Sequence, residues 1–356
     1  MSVPGQHQRA PLWLARDALA QNDPALARDL VEPLAAHGNR DAMIILGAAL
    51  AAEDNFDAAI RVWSQVDDPD ALLYLANEAK DDGRTDEALA ALRAMYEVDA
   101  EKGTFPLASL LWFSDLDANE PVDLIRKALA EYPYSDQRNL WLRRLGQILQ
   151  SRTLYAEAEA VWQQTLAEYP QDIQAYISLG WVYYWQGDGV ELAQSTFQKA
   201  IEMDPSQGDG YLAIAQVLAL EMRMAEADPW FAQAVALNPD EQSWWLAWGN
   251  ALRANGDLTR AFDIYGQLTV QSPDWAPVYY EIAWAYRTAD SKDQAVESIR
   301  KALALSPSPP VPYYLRAGLI YEWAGYSADA IAAYQEALFL DPKNEAAQMG
   351  LQRLGQ

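Results

Sequence analysis

The sequence predicts an all-α solenoid of about ten antiparallel helix hairpins with a closing helix. Three observations carry that prediction. Prolines fall at Pro170, Pro205, Pro239, Pro273, Pro307 and Pro342, at intervals of 35, 34, 34, 34 and 35 residues, and a near-constant period of this size marks a repeat architecture. Each interval opens with large and small apolar residues at i, i+3, i+4 and i+7, which is one stripe of a helix. Hydrophobic residues make up 51% of the chain, with 14 Trp and 19 Tyr, so burial is ample and disorder is not expected.

Taken in order, residues 1–11 (MSVPGQHQRAP) read as a tail with no apolar core long enough for a signal peptide. Residues 12–136 read as four divergent hairpins. In the first, Leu14, Ala15 and Ala18 lead, Asn22-Asp23-Pro24 turns, and Ala27, Val31 and Leu34 follow. The second pairs Met43, Leu46, Gly47 and Leu50 with Ala59 and Trp63; the third pairs Leu72, Leu75 and Ala76 with Ala88 and Leu92 across Gly83. The fourth is degenerate, with Leu107 to Phe113 leading and Pro121 placed at a helix start, where its missing amide costs nothing. The irregular stretch from Lys102 to Asp136 reads either as a joint or as plain divergence.

Residues 137–344 read as six regular hairpins. The clearest runs from Ala175 to Pro205: Tyr176, Leu179, Gly180 and Tyr183 share the first helix face, Gly187-Asp188-Gly189 breaks it, and Ala193, Phe197, Ala200 and Ile201 share the second. Proline supplies no amide and disfavours helix just before it, so Asp204-Pro205 ends the unit. The leading stripe returns as Leu142/Leu145/Gly146/Leu149, Tyr211/Ile214/Ala215/Leu218, Trp245/Trp248/Gly249/Leu252, Tyr279/Ile282/Ala283/Tyr286 and Tyr314/Ala317/Gly318/Tyr321. Residues 345–356 read as a lone helix covering the last apolar face, as repeat arrays require.

An aromatic, a Leu-Gly pair, a tyrosine, then spaced alanines, an aromatic and a proline resemble the unit of the tetratricopeptide repeat family, and the likeness covers residues 139 to 344 almost without gaps. The resemblance implies a right-handed superhelix whose first helices line a concave groove, with no cofactor and no catalysis. Carried over by register, the groove-facing positions are Arg143, Gln147, Trp181, Tyr184, Trp185, Gln216, Asn250 and Arg253, followed by Tyr280, Trp284, Arg287, Arg316 and Trp323. Rigid aromatics and forked donors of this kind carry much of the energy at binding hot spots. Trp181 and Trp284 read equally as seals between neighbouring hairpins. Asn250 stands where the family's carboxylate clamp has an amide, but Leu246, Tyr280 and Glu281 replace its other expected residues, so chaperone-tail binding is not expected.

Composition narrows the chemistry. With 51 Asp+Glu against 26 Lys+Arg, the net charge is −25; nucleic acid needs a basic footprint and is excluded as a partner. A solvated outer face explains the acidity, and a basic partner would fit it. The only histidines are His7 and His37 and cysteine is absent, which leaves no His-based metal site, Ser/His/Asp arrangement, thiolate or disulfide. The longest apolar run, Ala42 to Ala52, is too short to cross a bilayer. The expected protein is a non-catalytic, cytoplasmic interaction scaffold, or a soluble portion of a larger or exported protein, holding a peptide or helix of a partner. Glycan handling in bacterial polysaccharide assembly is the alternative, since aromatic faces flanked by amides and arginine also suit sugar rings.

Overall fold

The computed structural model describes residues 6–114, 119–187 and 189–355, and every regular element among them is an α-helix. In order these are α1 (Gln6–Ala20), α2 (Pro24–Ala36), α3 (Arg40–Ala52), α4 (Phe56–Gln65), α5 (Pro69–Asp81), α6 (Thr85–Val98) and α7 (Ala100–Ser114). There follow α8 (Glu120–Glu131), α9 (Arg138–Ser151), α10 (Tyr155–Glu168), α11 (Ile173–Gln186), α12 (Val190–Met203), α13 (Asp209–Leu220) and α14 (Met224–Leu237). The last are α15 (Gln242–Ala254), α16 (Leu258–Gln271), α17 (Ala276–Thr288), α18 (Lys292–Leu305), α19 (Val311–Ala324), α20 (Ser327–Leu340) and α21 (Glu345–Arg353). By contacts the chain forms two compact units, residues 1–175 and 176–356.

Helix ends follow local chemistry. Pro170, Pro205, Pro239, Pro273, Pro307 and Pro342 each stand two residues beyond a second helix. Most hairpin turns place one residue in the left-handed region: Gly256 and Gly325 do so freely, Asn22, Asp54 and Asp290 at modest cost, Thr153 and Met222 against their preference. Asp188 and residues 1–5 lie outside the described residues. The tail expected over residues 1–11 ends sooner, because α1 starts at Gln6 and carries Pro11 within it. As the sixth residue of α1, Pro11 forfeits one intrahelical hydrogen bond.

Packing within a hairpin rests on a ring laid over a residue that has no side chain. Gly47 is covered by Trp63, Gly146 by Trp162, Gly180 by Phe197, Gly249 by Tyr265 and Gly318 by Tyr334. A Cβ on Gly249 would lie 2.6 Å from Cε1 of Tyr265, closer than real contacts allow. Trp162, Tyr265 and Phe197 are fully buried and Trp63 nearly so, each contributing about 1.5–3 kcal/mol by burial. Within residues 176–356, α13 meets α15, α15 meets α17, α17 meets α19 and α19 meets α21, so the first helices form one continuous inner face. Residues 1–175 are less uniform: α1 meets α3 and α7 meets α9, but α4 and α6, both second helices, also touch.

Two glycine substitutions should therefore act with opposite sign. Gly146→Ala puts a methyl 2.5 Å from Trp162 Cε2 and is expected to destabilise by about 1–3 kcal/mol despite alanine's helix propensity. Gly266, inside α16, has nothing within 4 Å of a Cβ, and Gly266→Ala should stabilise by about 0.5–1 kcal/mol. Urea denaturation of both variants reads the two signs.

Candidate functional site

In the inner face of residues 176–356, α11, α13 and α15 enclose a cavity of about 460 Å³. Ala247, Ala251 and Ala254 recur along one stripe of α15 and, with Ala219 of α13, leave room at its floor. Trp181 and Trp185 make one wall, their rings stacked at 6.4 Å and 19°. Trp181 also sets an edge against Phe197 at 5.5 Å, so the same residue seals its hairpin and faces the cavity. Trp185 is 51% exposed, a costly position for so large a ring unless something covers it.

The polar groups come from Gln216, Asn250, Arg253 and Asn255. The Tyr265 hydroxyl donates to Asn250 Oδ1 at 2.7 Å, which fixes the amide and leaves its Nδ2 for other partners. Burial pushes that hydroxyl up to about 12, against the pull of Arg253, so it stays a neutral donor. Asn255 Nδ2 donates to the carbonyls of Ala219 and Ala251 at 3.1 and 2.9 Å, tying α13 to α15. No lining residue is acidic, and Arg253 carries the one charge among them.

Beyond Arg253 the same face continues as a ladder of rings and guanidinium groups on α17 and α19. Tyr313 stacks on Tyr280 at 4.4 Å, Arg316 lies 3.4 Å over Tyr280 and 5.2 Å from Trp284, and Arg287 lies 4.4 Å over Trp284. Glu281 holds it to the cavity. Its carboxylate is 3.0 Å from Arg316 Nη1 and 3.6 Å from Arg253 Nη2, and its side chain is only 13% exposed. Arg253 Nε and Arg287 Nε are buried without a hydrogen-bond partner.

Of the groove positions read from the sequence, Trp181, Trp185, Gln216, Asn250 and Arg253 thus share one cavity, and Tyr280, Trp284, Arg287 and Arg316 share the ladder. Tyr184 sets its ring against both wall tryptophans, 6.1 Å from Trp181 and 4.9 Å from Trp185, and donates its hydroxyl to Glu221 at 3.0 Å. Lys292 Nζ lies 5.5 Å over the Trp323 ring. Arg143 lines a separate cavity in residues 1–175, and Gln147, one turn along α9, does not line it. Glu281, Tyr313 and Asn255 were missed. Glu281 had one signal: it is the single acidic residue within α15 and α17. Trp244 packs on Gly208.

Among the described residues, no group of three or more His, Cys, Asp and Glu side chains is placed to hold a metal ion, and no helix is long and apolar enough to cross a membrane. His37 closes α2 with Nδ1 2.6 Å from the Pro33 carbonyl; the His7 side chain lies outside the described residues.

Removing the Glu281 charge isolates this arrangement. Glu281→Gln leaves two part-buried arginines sharing a neutral acceptor and is expected to cost about 1–3 kcal/mol, read by thermal or urea unfolding; an unchanged midpoint would mean that water already screens the cluster.

Models of the tetratricopeptide repeat match residues 13–71, 140–206, 183–242, 229–276, 276–309 and 311–344. Tetratricopeptide repeat protein 28 of Homo sapiens is 31% identical over 90 residues, 25% of this chain and 4% of that protein. The type IV pilus assembly protein PilF of Pseudomonas aeruginosa is 27% identical over 154 residues, 43% of this chain and 61% of that one. The chain thus spans only part of the length of each of these relatives. Among solved structures, yeast Tom70 superposes with a TM-score of 0.55 at 12% identity over 98% of this chain and 88% of its own. A tetratricopeptide repeat protein of Parabacteroides merdae gives 0.51 at 15% identity over 81% and 99%; both likenesses are of fold. With the repeat models laid over most of its length and that fold on both sides of the glycine–ring contacts, the chain belongs to the tetratricopeptide repeat family.

Proposed function

We propose that this chain is a non-catalytic scaffold that holds an extended peptide or a helix of a partner protein against the first-helix face of residues 176–356. Repeats of this family imply protein interaction, and the observation that carries the location is the cavity of about 460 Å³. There, three successive first helices bring together two tryptophans, three amides and an arginine, with no acidic residue in the lining and Glu281 paired to the arginine from outside it, in a chain of net charge −25. The arginine–aromatic ladder extends that surface along α17 and α19 and is held by Glu281 before any partner arrives. Pre-ordered side chains lose little entropy on binding. A relative named for type IV pilus assembly is in keeping with an assembly role.

A second reading rests on the stacked Trp181/Trp185 wall beside the amides of Gln216 and Asn250, which also suits a sugar ring.

A photo-crosslinking amino acid placed at Trp185, and separately at the exposed Val270 of α16, separates these readings in cells that make the chain. The scaffold reading expects a single protein adduct from position 185 and none from 270. A carbohydrate adduct at 185 selects the second reading, and equal labelling from both positions contradicts the location.

A further inference from the structure

Gly266 of α16 departs from the rule that the other helical glycines obey. Inside the described helices every other glycine has a heavy atom within 2.7 Å of the place a Cβ would take, and for six of those eight the atom belongs to an aromatic ring. Gly266 has nothing within 4 Å. Glycine in a helix interior is destabilising relative to alanine, and here no neighbour in the chain makes use of the space. Its remaining physical use is to let something else come close to the backbone. That open face lines a cavity of about 510 Å³ formed by α16, α17 and α18. The cavity shares no lining residue with the one between α11, α13 and α15, and its volume is that of a small-ligand site.

The lining suits a flat ring that carries a positive charge. Phe262 stands one turn before Gly266 on the same stripe of α16, and its ring meets that of Tyr286 of α17 at 4.6 Å, so a ring pair adjoins the bare backbone. At one end the polar groups satisfy one another: Lys301 Nζ lies 4.0 Å over the Tyr279 ring and donates to its hydroxyl at 2.8 Å, and that hydroxyl donates to the Pro273 carbonyl at 3.0 Å. Glu297, one turn before Lys301 on α18, is exposed and makes no ion pair or hydrogen bond among the described residues. It is the one acidic residue in the lining. We propose that this cavity binds an arylalkylammonium, its flat ring laid on the backbone at Gly266 beside Phe262 and Tyr286, as Trp162 is laid on Gly146, and its ammonium reaching the Glu297 carboxylate. Aromatic neighbours favour a flat π face over a thicker saturated ring. A net charge of −25 concentrates cations at the surface and speeds their arrival.

The test is a titration of the intact chain with 2-phenylethylammonium chloride, followed by the amide NMR shifts of residues 262–269, 279–286 and 294–301. Two controls at equal ionic strength dissect the ligand: 2-cyclohexylethylammonium chloride keeps the charge without the flat ring, and 2-phenylethanol keeps the ring without the charge. Saturating shifts confined to those segments are expected with 2-phenylethylammonium. The cyclohexyl compound should bind several-fold more weakly, and the alcohol roughly threefold more weakly, the size of an exposed ion pair. Gly266→Ala, the change expected to stabilise α16, puts a methyl where the ring would lie and should weaken 2-phenylethylammonium about tenfold. Its urea midpoint should hold or rise, which separates lost binding from lost folding. Glu297→Gln should lower the affinity to that of the alcohol. Unchanged affinity in Gly266→Ala or in Glu297→Gln overturns the proposal. So does equal binding of the cyclohexyl compound, or linear shifts spread over the whole chain, which would mean only a general attraction of cations to an acidic surface.

Discussion

The array depends on one contact, made in five of the hairpins: an aromatic ring of the second helix lies against a glycine of the first. The spacing is sixteen residues for Gly47–Trp63, Gly146–Trp162, Gly249–Tyr265 and Gly318–Tyr334, and seventeen for Gly180–Phe197. A glycine inside a helix costs roughly 1 kcal/mol relative to alanine. Burial of a whole ring, worth about 1.5–3 kcal/mol, outweighs it. Where the small residue is alanine, as at Ala215 and Ala283, the residue sixteen positions later is Phe231 or Ile299, and both are fully buried.

That contact also decides which residues reach the inner face. Once the glycine or alanine points into the hairpin, the next residue along the helix is turned about 100° away, toward the neighbouring first helices. Trp181, Gln216, Asn250 and Trp284 each follow a small residue in this way, and all four belong to the cavity or the ladder. Asn250 joins the two roles directly, since the hydroxyl of the ring that covers Gly249 holds its amide. Site and core are therefore the same construction seen from two sides.

The fold was legible because its determinants are local. Proline spacing, turn residues and the small–aromatic pairing are all written within one unit of the chain, and the structure places the closing prolines two residues past each helix as that chemistry requires. The start of α1 was misread because Pro11 was taken as a boundary, whereas the helix carries it in its second turn at the loss of one hydrogen bond. Register alone named five of the twelve residues that line the cavity, Trp181, Trp185, Gln216, Asn250 and Arg253. It could not show that Glu281 would join Arg253 to Arg316, because those partners sit in three different units and their meeting depends on how the units stack. The contacts of Trp323 with Lys292 and of the Tyr184 hydroxyl with Glu221 likewise appear only in the packed structure.

The central claim is that ring and glycine act as a pair, and a double-mutant cycle on Gly249 and Tyr265 measures it most directly. Gly249→Ala, Tyr265→Leu and the double variant would be unfolded in urea under identical conditions. If the ring excludes the methyl, the double variant should be less destabilised than the sum of the single changes, by about 1–2 kcal/mol, within the range seen for residues in contact. Additivity within about 0.5 kcal/mol would contradict the account and show that the two positions stabilise the hairpin independently.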